Sequence, residues 1–456
     1  MVLRTPRPSS RLFSIWLPHN PRCAPQRHRV SHELHPCYRS QQRHESTALD
    51  FYQNRQLEIY AGKEAHRVTL RQLVFYGRHI DEERLLKACH SSLHWPNANY
   101  VREELPVRLA KRLRDIQKLP YIVVTQEGIN RVYEMYWDAF EQFRKFPEIK
   151  TIERNIEYCR FLTKKLDEHA VVIPNLALGL SLSSPHLHSD ELDSFMRRML
   201  VSRISRRVLA EHHIALTNSY LDWQYRPQED PHVGIIFTGL DVRRSTIRCV
   251  ELLQQRKEMQ WPEVIIDGHT DVTFSYIREH LEYIVFELLK NSLHATINQH
   301  KHSSILPPVC VTVVKGQHDV GIRVSDQGGG LLTTSHPVSS PADLFSFSHT
   351  RNAIRMDQNH LQALRRLLAS DQGVKATVAE QVKQWGRPNS ADTDINLKPS
   401  EDRENALAHI GIGLPMSKIF ATYFGGSLEL VSLDGWGTDA YVRLPKLGTN
   451  LEGIEL

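Results

Sequence analysis

The sequence predicts a two-part α + α/β protein, an N-terminal helical bundle followed by a C-terminal α/β sandwich in which a sheet carries helices on one face. Three observations point there. From about residue 66 to 225 apolar residues recur at helical spacing and turn signals are sparse. After residue 232 short β-branched runs take over: VGIIF, EVIID, VCVTVV and DVGIRVSD. The chain has 456 residues, too many for one ordinary core.

The helices come first. In ELPVRLAKRLRDIQKLP (104–120), Pro106 suits a first helical turn, and Val107, Leu109, Leu113 and Ile116 form an apolar stripe. Val132, Met135, Tyr136, Phe140 and Phe143 mark a second helix, Ile152, Ile156, Cys159, Leu162 and Leu166 a third, and Phe195, Leu200, Ile204, Val208 and Leu209 a fourth. Four such stripes predict an antiparallel bundle. Polar, Pro-containing stretches around 172–190 and 222–232 should interrupt it, the second marking a domain boundary. Beyond it, VCVTVV and DVGIRVSD flank Gly316 and read as a hairpin, while EHLEYIVFELLKNSLHATI and LPMSKIFATYF read as helices, the latter stopped by Gly425 and Gly426. The expected units are residues 1–45, 46–228 and 229–456, with a long lid over 331–410.

Composition excludes several classes. With 41% hydrophobic and 24% charged residues, and no apolar run approaching the roughly 20 residues that cross a bilayer, the chain is not read as an integral membrane protein. Six scattered cysteines form no C-x-x-C pair, so neither a zinc knuckle nor a disulfide framework is indicated. The net charge of +5 is concentrated in residues 1–45, which hold eight arginines against Glu33 and Glu45. The remainder is nearly neutral and does not predict a nucleic-acid partner. An Arg-rich, Ser-containing N-terminus reads as a mitochondrial presequence, a disordered basic tail being the alternative.

Three pieces carry chemistry. In ELLKNSLHAT, Glu287, Asn291 and His294 share a helix face beside Lys290. An amide oxygen is a hard ligand for Mg²⁺ and a carboxylate can take a proton from a hydroxyl, although such a pair alone is also an ordinary solvated face. In SDQGGG, Asp326 ends a strand and precedes Gly328, Gly329 and Gly330. A carboxylate there can accept from an exocyclic amine, and a plain Gly-rich turn is the alternative. In HIGIGLPMSK, Gly411 and Gly413 precede a helix beginning near Leu414, a pattern that offers unpaired N–H groups to phosphates.

In this order, and followed by a last hairpin containing GWGTDA, these pieces resemble the ATP-binding fold shared by gyrase, a heat-shock chaperone family, histidine kinases and MutL. No Walker motif or ordinary protein-kinase motif set is present. The resemblance narrows to the mitochondrial 2-oxoacid dehydrogenase kinases, the pyruvate and branched-chain dehydrogenase kinases. It runs from about Leu70 to Leu444 through ELPVRLAKRL (104–113), SRISRRVLAEHHIAL (202–216), VGIIFTGL (233–240) and LPMSKIFATYFGGSLELVSLDGWGTDAYVRL (414–444).

The resemblance implies a regulatory, partner-binding helical domain (46–228) and an ATP-binding kinase domain (229–456). It implies Glu287 as the base for a substrate serine, Lys290 as neutraliser of phosphate charge and Asn291 as Mg²⁺ ligand, with His294 near the nucleotide. Asp326, Gly328, Gly330 and Thr438 would line the adenine pocket, and Gly411, Gly413 and Leu414 would close over the phosphates. The implied protein is a homodimeric kinase of the mitochondrial matrix that uses ATP and Mg²⁺, binds the lipoyl domain of E2 and inactivates the E1α subunit of the pyruvate dehydrogenase complex. The branched-chain complex is the alternative target. Tyr283, one turn before Glu287, and a chain end at Leu456 without an Asp-Trp tail both weaken the pyruvate assignment. A silent ATP-binding scaffold on the E2 core and an ATP-driven conformational machine are further readings; intact Glu287, Lys290 and Asn291 oppose the first, and a helical bundle placed before the nucleotide motifs opposes the second.

Some features have blander readings. His212 and His213 lie where a two-component kinase would carry a phosphoacceptor, but packing within the helix accounts for them as well. His186 with His188, and His300 with His302, lack a third ligand. The lid should contain a helical island near Leu361–Leu368 and a polar, disordered stretch from Gly386 to Arg403.

Overall fold

All four apolar stripes are helical, and several helices start where a polar side chain closes the first turn. The computed structural model describes residues 55–78, 81–86, 97–183, 186–221, 231–254, 260–331, 343–347, 412–447 and 450–453. The presequence, the boundary at 222–230, Gly411, the helical island and the stretch 386–403 lie outside the described residues.

The first half is helical: α1 (55–61), α2 (Leu70–Gly77), α3 (Glu82–Leu86), α4 (Ala98–Gln117), α5 (Tyr121–Val124), α6 (Glu127–Lys145), α7 (Ile152–Glu168), α8 (Val172–Ser183) and α9 (Ser189–Leu221). Thr69 closes α2 in a capping box with Gln72, and the Asn97 side chain accepts from the Tyr100 amide at 2.7 Å to begin α4. Because Asn97 sets that start, Pro106 stands inside α4 and not in its first turn. This corrects the sequence expectation; proline's missing N–H leaves one helical bond unmade, a cost the buried stripe around it must offset. A second correction concerns 172–190: residues 172–183 form α8, because Pro174 falls in the first turn, where amides need no helical partner. Val172, Leu176, Ala177 and Leu180 of α8 are buried.

The second half holds two sheets. His232–Val233 (β1), Ile236–Asp241 (β2) and Thr273–Ile277 (β4) form an antiparallel sheet in the order β1-β2-β4. Val264–Gly268 (β3), Val309–Lys315 (β5), Asp319–Ser325 (β6), Ser427–Leu433 (β7) and Gly437–Pro445 (β8) form the other, ordered β3-β5-β6-β8-β7, in which only β3 with β5 is parallel. VGIIF is therefore two strands, divided by a turn at Gly234 (φ 57°). The strand β4 had no counterpart in the sequence reading. Val242–Gln254 (α10), Arg278–Gln299 (α11) and Gly413–Thr422 (α12) complete the half. Val311, Val313, Ile322, Val324, Val442 and Leu444 turn inward and are buried, as the alternation predicts. No helix among the described residues is long and apolar enough to cross a membrane.

His212 and His213 are buried structural groups. A Cβ at Gly234 would overlap the His212 ring, so the imidazole packs under that turn. His213 Nε2 meets Asn155 Oδ1 at 2.8 Å, and Asn155 also bonds Thr217 at 3.0 Å. Burial lowers their pKa values to about 4 and about 3, which keeps both rings neutral.

One buried ionic cluster joins the helical half to Glu452, among the last described residues. The Arg108 guanidinium, on α4, meets Glu104 at 2.9 Å and Glu452 at 2.8 Å, and donates to Ser205 on α9. Glu452 also accepts from the Tyr423 hydroxyl and from the Val68 amide at 3.2 Å. Burial alone would lower the Arg108 pKa, but Glu452 and Glu104 raise it, so the cation persists.

Removing Glu452 should leave Arg108 with Glu104 alone and strip the buried donors of Arg108, Tyr423 and Val68 of their shared acceptor. Glu452→Ala is expected to cost about 3–5 kcal/mol, read from the denaturant midpoint. The double variant Arg108→Met/Glu452→Ala should recover part of that loss, and strict additivity would refute the coupling.

Candidate functional site

The site is built where α11, α12 and the β7–β8 hairpin converge on the end of β6. α11 is buried continuously from His280 to Leu289, and Glu287 sits in that run with only 3% of its surface exposed. Its carboxylate is met by Lys290 Nζ at 2.6 Å. The first residue of α12 lies directly against it: a Cβ at position 413 would overlap Glu287 Oε2, so any larger residue there displaces the carboxylate. The amides of Gly413 and Leu414 begin α12 with no side-chain cap at Ile412. Asn291, one turn on from Glu287, is exposed, and His294 is half-buried against the Trp261 ring at 6.1 Å.

The second part is centred on Asp326. Its Oδ1 accepts from the Gly328 amide at 2.9 Å and the Thr438 amide at 3.1 Å, while its own amide donates to the Thr438 carbonyl at 3.0 Å. The Ser292 side chain adds a further bond. A carboxylate has about four lone-pair directions, and Gly328, Thr438 and Ser292 use three, which leaves capacity for one donor from a ligand. Burial raises the Asp326 pKa, opposed by the bonds from Gly328, Ser292 and Thr438. Gly437 abuts the Asp326 carbonyl so closely that a Cβ would overlap it, and Gly330, at φ 83°, lies against the Leu433 and Asp434 backbone. Thus the strand end and the last hairpin are locked together around one carboxylate.

The structure brings Glu287, Lys290 and Gly413 into contact, and separately Asp326, Gly328 and Thr438; Ser292, adjacent to Asn291 on α11, ties the two groups. Sequence reasoning missed Ser292 and Gly437. Only position could have flagged the serine, which follows Asn291 directly and so projects from another side of the helix. His300 Nε2 bonds the Gln327 carbonyl at 3.0 Å, a structural use. Among the described residues, no group of three or more His, Cys, Asp or Glu side chains could hold a metal ion. An ion here would take Asn291 and otherwise oxygen from phosphate and water, a donor set Mg²⁺ accepts.

The chain as a whole is similar to known proteins. Residues 67–237 match the family model described as mitochondrial branched-chain alpha-ketoacid dehydrogenase kinase. The chain is 30% identical over 395 residues to the mitochondrial pyruvate dehydrogenase (acetyl-transferring) kinase of Arabidopsis thaliana, covering 85% of this chain and 92% of that one. It is 27% identical over 448 residues to mitochondrial pyruvate dehydrogenase (acetyl-transferring) kinase 2 of Saccharomyces cerevisiae, with coverages of 89% and 87%. Over 417 residues it is 25% identical to isozyme 4 of the same kinase from Rattus norvegicus, with coverages of 88% and 85%.

Two geometric expectations follow. Gly413→Ala should push the buried Glu287 carboxylate from its place beside Lys290 and cost about 1–3 kcal/mol by denaturant unfolding, as overpacking does; an unchanged midpoint would mean the side chain moves aside freely. Asp326 has a raised folded-state pKa, so its stabilising contribution is complete below the unfolded value of 3.8 and is lost as pH rises through the folded value. The stability of the native protein relative to Asp326→Asn should therefore fall across that window, and a rise would reverse the assigned sign.

Proposed function

Because the chain belongs to the mitochondrial 2-oxoacid dehydrogenase kinase family, we propose that it transfers the γ-phosphoryl group of MgATP to a serine of the E1α subunit of the pyruvate dehydrogenase complex, inactivating it. The observation that carries this reading is the buried Glu287 carboxylate, held between Lys290 and the glycine that starts α12. The same reading assigns residues 229–456 to an ATP-binding domain of the gyrase, chaperone, histidine kinase and MutL type, and 46–228 to a regulatory and partner-binding domain.

Each residue then has one task. Glu287 accepts the serine proton as the hydroxyl oxygen attacks phosphorus. Lys290 offsets charge on the phosphoryl oxygens, and the amides of Gly413 and Leu414, with the chain at Gly411, face the phosphates. Asp326 uses its remaining lone pair for the adenine amine within the frame of Gly328, Gly330 and Thr438, and His294 with Trp261 lies at the margin. Asn291 would hold Mg²⁺, which supplies neutralisation of phosphate charge when bound. Transfer is direct and in line, with no covalent enzyme intermediate.

The branched-chain complex is the second reading. It is favoured by the match of residues 67–237 to the branched-chain kinase model and by Tyr283, buried one turn before Glu287 against Phe420 at 4.8 Å. The proposed setting is the mitochondrial matrix, with residues 1–45 as presequence, the lipoyl domain of E2 as docking partner and a homodimer as the assembly. In support of the last, Ile265, Val314, Val431 and Tyr441 lie exposed on the outer face of the five-stranded sheet.

Labelled ATP offered with purified E1 from both complexes tests the target directly; phosphate on neither would overturn the kinase assignment. Glu287→Gln should lower turnover by about two orders of magnitude or more while nucleotide affinity stays near native. Asn291→Ala should act on Mg²⁺-dependent nucleotide binding, and Asp326→Ala should weaken ATP by about 1.5–3 kcal/mol and relax discrimination against GTP, both read by calorimetry. Deleting residues 1–45 should abolish import and spare activity.

A further inference from the structure

Residues 343–347 fall inside the stretch expected to form a lid, and they are seated between α9 and α12. Asp343–Phe345 makes a single 3₁₀ turn. On the bundle side the segment is gripped by Asp193 of α9, whose Oδ2 accepts from the Ser346 hydroxyl at 2.5 Å and whose Oδ1 accepts from the Phe347 amide at 2.9 Å. Donors from consecutive residues thus meet both oxygens of one carboxylate, and bonds to an ionised acceptor are about twice as strong as neutral ones. Asp190 and Glu191 stand in the first turn of α9, where acids offset the helix dipole; Asp193 lies further in and serves the segment instead.

On the other side the segment rests on α12. Lys418, in the middle of that helix, holds its Nζ 3.9 Å from the centre of the Phe345 ring, within reach of a cation–π contact. Phe347 is buried in the apolar core and Phe345 packs against that core. A carboxylate, an ammonium and two aromatic rings therefore hold this short run of chain across the junction. Leu414 stands one turn before Lys418 on the same face of α12, and its amide is among those that the helix start leaves without a helical partner. A helix of ten residues moves as one body, so a hold at Lys418 also limits its first turn.

We propose that Asp193 is a positioning residue for the nucleotide's phosphates: by seating residues 343–347 against Lys418 it fixes the start of α12, and it leaves recognition of the base to Asp326. The inference rests on the nucleotide site of the kinase reading. It does not depend on which dehydrogenase complex is the target. Asp193 lies in the helical half, so a residue outside the ATP-binding half would set how tightly the phosphates are held.

The test measures binding of MgATP by calorimetry and of adenosine, which has no phosphate, by saturation-transfer NMR, both on the full chain. Asp193→Ala should weaken MgATP about tenfold and leave adenosine within about twofold. A merely structural role would not give that split, because general loosening weakens both ligands alike. Ser346→Ala should weaken MgATP about threefold, and Ser346→Thr, which keeps the hydroxyl, should restore near-native affinity. Asp193→Ala/Ser346→Ala should bind MgATP as Asp193→Ala does, since the second change removes a bond already lost. If circular dichroism shows Asp193→Ala unfolded, the serine pair carries the test. Native MgATP affinity in the folded variants, or an equal loss for MgATP and adenosine, overturns the inference and leaves the kinase reading standing. Failure of the native protein to bind MgATP overturns both.

Discussion

Arg108 is a cation taken out of water, and the union of the helical half with the sheets depends on how it is paired. A buried guanidinium is tolerated only with carboxylates and acceptors in fixed positions. Here they come from α4 itself, from α9 and from Glu452 near the end of the chain. Because Glu452 also holds Tyr423, just beyond α12, the ionic cluster ties the end of that helix to α4. Apolar packing across the same junction would allow sliding; directional charge-assisted bonds do not.

α12 is consequently held at both ends by different physics. Its C-terminal end is tied to the bundle through Tyr423 and Glu452, and its N-terminal end is pressed against Glu287 through the missing Cβ of Gly413. A helix of ten residues spans about 15 Å, so it can carry a displacement from one end to the other without deforming. The Asp326 half is of another kind. Strand pairing from Asp319↔Pro445 to Ser325↔Asp439, together with the Thr438 bonds, makes it part of the sheet, with little freedom of its own.

The glycines divide along the same line. Gly329 and Gly330 are needed for positive φ, which turns the chain after β6. Gly413 and Gly437 are needed for close approach, the first to a side chain and the second to backbone. In the sequence all four belong to similar G-x-G or GGG runs. Their separate tasks appear only when the neighbour that would meet a Cβ is known.

Much of the architecture was legible in the sequence by itself. Helical stripes, strand alternation, the β5–β6 hairpin and the placement of Glu287, Lys290 and Asn291 on one stretch of helix follow from spacing, because residues three and four apart on a helix and two apart on a strand share a face whatever surrounds them. The motif order carried the family resemblance for the same reason. What only the tertiary structure decided is where distant segments meet: Gly413 on Glu287, Ser292 on Asp326, Glu452 on Arg108. Pro106 inside α4 and Pro174 in the first turn of α8 were misjudged because a helix start depends on a cap, Asn97 in one case, and on burial of the run that follows. The strand β4 forms because β2 offers it an edge, which no local pattern announces. Such contacts depend on complementarity between side chains far apart in the chain, and periodicity holds no record of it.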